Sequence, residues 1–174
     1  SSFEGTVSID LDVVSETDTV IVNAAELEIE SVYLEQNETI QANSIVLNEE
    51  LERAEFAFPV VLQPGPARLT CSFKGTLNDK LRGFYRSTWK DESGHERVIA
   101  TTQFESTNAR RAFPCFDEPD LKASFGVTLR VDSSLMAVSC GELISSTELD
   151  DGRREDTFAD TMVMSTYLVA FIVG

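Results

Sequence analysis

A long alternation of apolar and polar residues near the start of the chain constrains the fold more than any other feature. Across the run FEGTVSIDLDV at residues 3–13, odd positions are apolar or glycine and even positions are polar or acidic. A period of two places successive side chains on opposite faces of a strand. The run therefore predicts a long β-strand with one buried face and one face in water.

Shorter strand patterns recur along the rest of the chain, at 19–23, 27–34, 45–47, 55–62, 69–73, 83–90, 95–105 and 125–131. Turn signals separate some of them, at DESG (91–94) and DDG (150–152). Helix signals are scarce: Glu49–Arg53 could form a turn or two, and Asn108–Ala112 a short turn that Pro114 would end. Many short strands at this spacing predict an all-β fold with several mostly antiparallel sheets and at most short helical turns.

The net charge of −16 is unevenly placed. Residues 1–58 hold fourteen Asp and Glu against the single base Arg53, whereas the remaining residues are nearly balanced. Phosphate binding needs clustered Lys and Arg, so the acidic portion argues against nucleic acid and against an anionic membrane as partners. A solvated acidic face is the simpler interpretation of these charges.

Cysteine usage and hydropathy point to the inside of a cell. Cys71, Cys115 and Cys140 are odd in number and lack CxxC spacing, which suits a reducing compartment. The most apolar segment, Tyr167–Val173, is far too short to cross a bilayer. Phe3 already lies within a strong pattern and Gly174 follows an apolar run, so we expect a piece of a longer polypeptide.

The sequence gives little support for catalysis by this chain alone. The run HERVI at 95–99 begins like the zinc-protease motif HExxH, but Ile99 stands where the second histidine is needed, and His95 is the only histidine. A serine or cysteine nucleophile usually needs a nearby base, most often histidine. A hydrolase using Cys115 is therefore disfavoured, and we predict no catalytic residue and no metal ligand in this chain.

The stretch TTQFESTNARRAFPCFDEP at 101–119 follows no single period. If residues 101–105 form a strand, Gln103 and Glu105 share one face. An amide and a carboxylate on one face could hold a ligand ammonium group, and a wetted strand face is the alternative. Arg110, Arg111, Asp117 and Glu118 could form an ion-pair knot that stabilises the following turn.

The run TTQFESTNARRAFPCFDEPDLKASFGVTL, with LRGFYRS at 81–87 and MSTYLVAFIVG at 164–174, closely resembles the N-terminal domain of the gluzincin zinc aminopeptidases. This is the family of aminopeptidase N and puromycin-sensitive aminopeptidase, and the ending is most similar to its cytosolic puromycin-sensitive and fungal branch. The resemblance implies one saddle-like β domain over residues 1–174. It also implies that Glu105 helps hold the free α-amino group of a peptide and that Gln103 lines the same substrate-binding pocket.

The resemblance also implies that the catalytic motifs of the family lie outside residues 1–174. GAMEN, HExxH with its downstream Glu ligand, and the catalytic Tyr are absent from these residues. We therefore expect zinc as cofactor of the parent enzyme, bound outside this chain, and no peptide cleavage by the chain alone. The implied partners are peptides with a free N-terminus and the catalytic and C-terminal domains of the same polypeptide, in the cytoplasm. The alternative is a stand-alone, non-catalytic β-sandwich module that binds another protein.

Overall fold

The alternating run at the start of the chain forms a strand in the computed structural model, which describes residues 1–174. Strand β1 spans Ser2–Val13, and its residues alternate between exposed and partly buried up to the buried Val13. Its apolar face packs against the core, with Phe3, Val7, Ile9 and Leu11 in contact. The predicted half-buried strand is confirmed.

Fourteen strands and two single-turn 3-10 helices make up the regular structure, and every pairing between strands is antiparallel. The all-β, multi-sheet prediction is confirmed. No helix in the structure is long and apolar enough to cross a membrane. The elements are β1 (Ser2–Val13), β2 (Thr17–Asn23), β3 (Leu27–Glu35), β4 (Thr39–Gln41), β5 (Ser44–Asn48), β6 (Arg53–Leu62), β7 (Gly65–Thr76), β8 (Gly83–Lys90), β9 (Glu96–Gln103), a 3-10 turn (Ala109–Arg111), β10 (Val127–Asp132), β11 (Ala137–Ser139), β12 (Leu143–Glu148), β13 (Arg153–Phe158), a second 3-10 turn (Thr166–Leu168) and β14 (Phe171–Val173).

The strands divide between two units. The first unit contains Ser1–Thr76 and Arg110–Phe116, and the second contains Leu77–Ala109 and Asp117–Gly174. The first unit holds a four-stranded sheet of order β1-β7-β3-β4 and a three-stranded sheet of order β2-β6-β5. The second holds a four-stranded sheet of order β11-β14-β9-β8 and a three-stranded sheet of order β10-β13-β12.

The two sheets of the first unit enclose a continuous hydrophobic core. Leu69 on β7 lies between Ile9 on β1 and Leu34 on β3, and Phe56 on β6 faces the same core from the other sheet. Leu34, Phe56 and Leu69 have no solvent-exposed surface. Side chains from two inner faces that interdigitate in this way are typical of a β-sandwich.

Two glycine–phenylalanine pairs stabilise the contact between β1 and β7. Phe3 pairs with Gly75, and Gly5 pairs with Phe73. A Cβ atom at Gly75 would lie 2.2 Å from the Phe3 ring, and one at Gly5 would lie 2.8 Å from the Phe73 ring. Each ring therefore covers the glycine on the opposite strand, which restores the apolar contact that glycine lacks.

The second unit is built from shorter strands, with β9 near the middle of its larger sheet. Phe171 on β14 packs edge-to-face against Phe84 on β8, with ring centroids 4.9 Å apart. It also meets the Phe104 ring at 6.0 Å. These three aromatic rings anchor the end of β9 that carries Gln103.

Candidate functional site

Gln103 is the last residue of β9 and lies where the sheet narrows. On one side β14 pairs with β9 at Thr101, and on the other side β8 continues until Gly83 pairs with Gln103. Gln103 is exposed, whereas the next residue, Phe104, is 2 % exposed. The Gln103 amide therefore stands on the solvent side of a well-anchored strand end.

Glu105 lies in the turn that follows β9, so the prediction that residues 101–105 form one strand is wrong for the last two residues. The Phe104 carbonyl accepts a hydrogen bond from the Asn108 backbone N–H at 2.8 Å, and the chain turns there instead of extending. The Asn108 side-chain amide donates to the Glu105 backbone carbonyl at 3.2 Å. The Glu105–Ser106 peptide bond is cis.

Exposure still alternates across this junction, because Gln103 and Glu105 are exposed on either side of the buried Phe104. The structure describes no hydrogen bond or ion pair of the Gln103 amide or the Glu105 carboxylate. An exposed carboxylate and an amide oxygen two residues apart in sequence can each accept a hydrogen bond from an ammonium group. The arrangement is therefore chemically suited to a cationic amine.

The loop before β8 is held by the side chain and backbone of Asn78. The Asn78 Oδ1 accepts the Lys80 backbone N–H at 2.7 Å, and its Nδ2 donates to the Arg82 carbonyl at 3.1 Å. Within this loop Leu81 adopts a φ of 58°, and Gly83 follows with a φ of 68°. A left-handed leucine costs about 1–2 kcal/mol, because its Cβ approaches the following carbonyl oxygen. No pattern in the sequence identified Leu81, since asparagine or glycine is usual at such a position.

The segment Arg110–Phe116 belongs to the first unit, and Arg111 anchors it there. The Arg111 guanidinium donates to Glu26 at 2.8 Å and also to Glu52, which pairs with Arg110 at 3.3 Å. Both glutamates have positive φ values, 57° and 51°. The two arginines have a structural role, as predicted, but these ion pairs are with Glu26 and Glu52, far away in sequence, and Glu118 takes no part in them.

Backbone pairing and two aromatic side chains also hold residues 110–116 in the first unit. Asn23 and Cys115 exchange backbone hydrogen bonds of 2.8 and 3.1 Å, and Phe113 and Phe116 pack against the core of the first unit. Cys115 is 5 % exposed. A thiol in that position is inaccessible to a substrate, which weighs against the Cys115 hydrolase.

His95 lies on the surface beside the β8–β9 turn, as predicted, with its Nδ1 3.8 Å from Asp91. The backbone N–H of His95, followed by the Arg97 guanidinium, lowers the pKa of Asp91 from its usual value. No group of three or more His, Cys, Asp and Glu side chains in the structure could hold a metal ion. The contacts of Asp91 therefore explain the HERVI stretch as part of a β-hairpin.

The family model for the Peptidase M1 N-terminal domain matches residues 1–168. The chain belongs to this family. It is similar to the puromycin-sensitive aminopeptidase of Caenorhabditis elegans, at 46% identity over 99% of the chain and 19% of that protein. It is also 42% identical to the alanine/arginine aminopeptidase of Saccharomyces cerevisiae, over 99% of the chain and 20% of that protein.

Similarity extends to endoplasmic reticulum aminopeptidase 1 of Homo sapiens, at 36% identity over 99% of the chain and 19% of that protein. The chain thus spans about a fifth of the length of the curated relatives that it matches. The resemblance to the puromycin-sensitive and fungal aminopeptidases is confirmed. The names of the relatives do not agree on a compartment, so the cytoplasmic location stays a prediction.

Proposed function

We propose that residues 1–174 are the N-terminal domain of a zinc-dependent aminopeptidase that removes N-terminal residues from peptides. In this proposal the domain supplies one wall of the active-site cleft. Membership of the M1 N-terminal family, with relatives named as aminopeptidases over 99% of the chain, is the observation that carries it.

Glu105 recognises the free α-amino group of the substrate, and Gln103 lines the same pocket. The support is their exposure on either side of the buried Phe104, with no competing ion pair described for the carboxylate. An N-terminal ammonium can neutralise Glu105, whereas an internal peptide nitrogen carries no charge. An internal segment would leave the carboxylate desolvated and unpaired, so the site favours chain ends.

Zinc binding requires residues outside this chain. No cluster of potential ligands fits a metal here, and HExxH is absent from the 174 residues. In this proposal the isolated chain has no peptidase activity, and its partners are the catalytic and C-terminal domains of the same polypeptide together with peptide substrates. An amidase assay of the purified chain with added zinc tests this, and turnover by the chain alone would contradict it.

The decisive experiment replaces Glu105 by Gln in the full-length protein. Charge-assisted hydrogen bonds contribute about 1.5–3 kcal/mol, so kcat/KM for an aminoacyl reporter should fall roughly ten- to a hundredfold. Gln103→Ala should have a smaller effect, because a neutral amide contributes less than a carboxylate. Steady-state kinetics with the same reporter measures both losses.

Glu92→Gln is the matched control, since Glu92 is an exposed acid at the β8–β9 turn. It removes the same charge from the same unit and should leave kcat/KM within twofold. An unchanged kcat/KM in Glu105→Gln would reject the amine-recognition role. Equal losses in both glutamate variants would indicate a general effect of charge on the enzyme.

A stand-alone binding module is the alternative function, with the acidic residues of the first unit facing a basic protein. A coding sequence that continues beyond Gly174 into GAMEN and HExxH would exclude it. Such a module would have no need for an exposed carboxylate and amide at the end of β9, so Glu105→Gln would leave its binding unchanged.

A further inference from the structure

Strand β9 is paired along its whole length on one side only. β8 pairs with every residue from Glu96 to Gln103, whereas β14 pairs only with Thr101 and Ala100. Residues 96–99 and their partners on β8 therefore form a two-stranded ribbon that extends beyond β14. A two-stranded ribbon is marginally stable in water unless a third strand or another element packs against it.

The register of the ribbon shows which backbone groups face its open side. The Asp91 N–H donates to the His95 carbonyl at 2.9 Å, and hydrogen-bonded pairs alternate along an antiparallel ladder. Val98, three residues after His95, therefore directs its N–H and C=O away from β8, as does Glu96. The Arg86 N–H on the partner strand follows the same alternation, because it donates to the preceding loop and not to β9. Val98 is 49% exposed, so this edge of β9 is open to solvent.

Strand β14 leads directly to this open edge. Gly174 exchanges two backbone hydrogen bonds of 3.0 Å with Met136, one position beyond the last β11–β14 pair. On the side of β9, a Cβ atom at Gly174 would lie 2.5 Å from the Ile99 Cγ2 and 3.2 Å from the Val98 carbonyl oxygen. Glycine therefore lets the backbone approach β9 closely at the level of Ile99.

We infer that the residues following Gly174 in the full-length polypeptide extend β14 and pair with the open edge of β9. The inference rests on the proposed function, in which this chain is the first domain of a longer protein. Val173 pairs with Ala100, so its backbone groups face β9 while those of Gly174 face β11. In the same register, the first residue after Gly174 lies opposite Val98, and the third lies opposite Glu96.

The same polypeptide is favoured over a second molecule as the occupant of this edge. An open strand edge can accept a strand from another chain. A second copy would lose translational and rotational freedom on binding, whereas the residues after Gly174 already start in register beside the edge. With that strand in place, β9 has a partner on each side. The strand that ends at Gln103 is then bound to the connection with the rest of the protein.

Hydrogen exchange in the full-length protein, resolved to single residues, tests this pairing. The Val98 N–H should exchange at least about a hundredfold more slowly than the Thr88 N–H, because amides paired inside a sheet open rarely. Thr88 is the matched reference, since it pairs with Val98 across the ribbon and its N–H faces the outer edge of β8. Equal exchange rates at the two residues would overturn the inference.

The dependence of this protection on protein concentration identifies the occupant. Slow exchange at Val98 that persists on dilution supports a strand of the same polypeptide. Slow exchange that is lost on dilution would assign the edge to a second copy of the protein, and it would overturn the inference.

Proline substitutions on the same rung of the ribbon give a second readout. Val98→Pro removes an N–H that the extended strand would bind, whereas Thr88→Pro removes one from the outer edge of β8. Neither removes a hydrogen bond between β8 and β9, so the cost of proline within the ribbon should be similar. Val98→Pro should therefore lower the melting temperature of the full-length protein by about 2–4 °C more than Thr88→Pro. Equal decreases would contradict the pairing.

Exchange and kinetics together separate this inference from the proposed function. Fast exchange at Val98, in a protein whose kcat/KM falls on Glu105→Gln, would reject the strand extension alone. Slow exchange at Val98 in a full-length protein without aminopeptidase activity would support the strand extension and reject the proposed function.

Discussion

The two units differ in how they use their apolar residues. Sixteen of the 22 buried hydrophobic residues lie in the first unit, and six lie in the second. The large hydrophobic side chains that remain exposed show the opposite distribution, with thirteen of 21 in the second unit. The unit that carries Gln103 and Glu105 is therefore the one with the smaller core of its own.

The first unit thus contributes mainly to stability, whereas the second carries the candidate recognition residues. The first unit buries its apolar surface between two of its own sheets, which is how a β-sandwich becomes stable. The second unit leaves apolar side chains in water, and contiguous surfaces of that kind often mark contact sites. Its candidate residues lie where strand β9 ends and a turn begins.

The largest expected effect is on the free energy of unfolding, and matched Phe→Ala substitutions in the two cores test it. Phe58 on β6 and Phe158 on β13 are both 4% exposed. Phe58→Ala should lower the free energy of unfolding by about 4 kcal/mol, because it removes a ring from the continuous core of the first unit. Phe158→Ala should cost about 3 kcal/mol, since the second unit has fewer buried apolar side chains.

Denaturant unfolding of each variant, followed by tryptophan fluorescence and circular dichroism, measures both losses. Equal losses would show that the two cores are energetically alike, despite the different number of buried residues. A larger loss for Phe158→Ala would reverse the comparison.

A smaller effect concerns the arginine that anchors residues 110–116 to the first unit. The Arg111 side chain is 9% exposed, although its partners Glu26 and Glu52 are partly in solvent. Arg111→Met should cost about 1–2 kcal/mol after allowance for that solvent screening. Arg68→Met removes the exposed pair with Asp10 and should leave the thermal midpoint unchanged. Equal shifts in midpoint would contradict a special role for Arg111.

The smallest effect is a pH dependence located in the second unit. Hydrogen bonds from Arg154 and then Ser146 lower the pKa of the buried Asp156. A lowered folded-state pKa stabilises the protein above the unfolded value of about 3.9, and this contribution is lost as pH falls through the folded value. The stability difference between wild type and Asp156→Asn should therefore shrink on acidification, as urea titrations from neutral to acidic pH would show. A constant difference would exclude this linkage.

Some of this architecture could be predicted from residue order alone. The alternation at residues 3–13 identified β1, and the turn signals around DESG correctly bounded β8 at Gly83–Lys90. Both depend on local chemistry, namely the period-two burial of side chains and the backbone preferences of turn residues. The short strands β4, β11, β12, β13 and β14 were missed, because runs of three to six residues carry too little periodicity.

The residue types at 103 and 105 were enough to suggest an amine site, and the resemblance supplied the family. Only the tertiary structure showed that Glu105 lies beyond the end of β9 and that Arg111 binds two glutamates. It alone showed that Gly83, 20 residues earlier in the chain, pairs with Gln103. Local patterns determine which residues can form a strand, whereas strand pairing over long sequence separations decides which side chains meet.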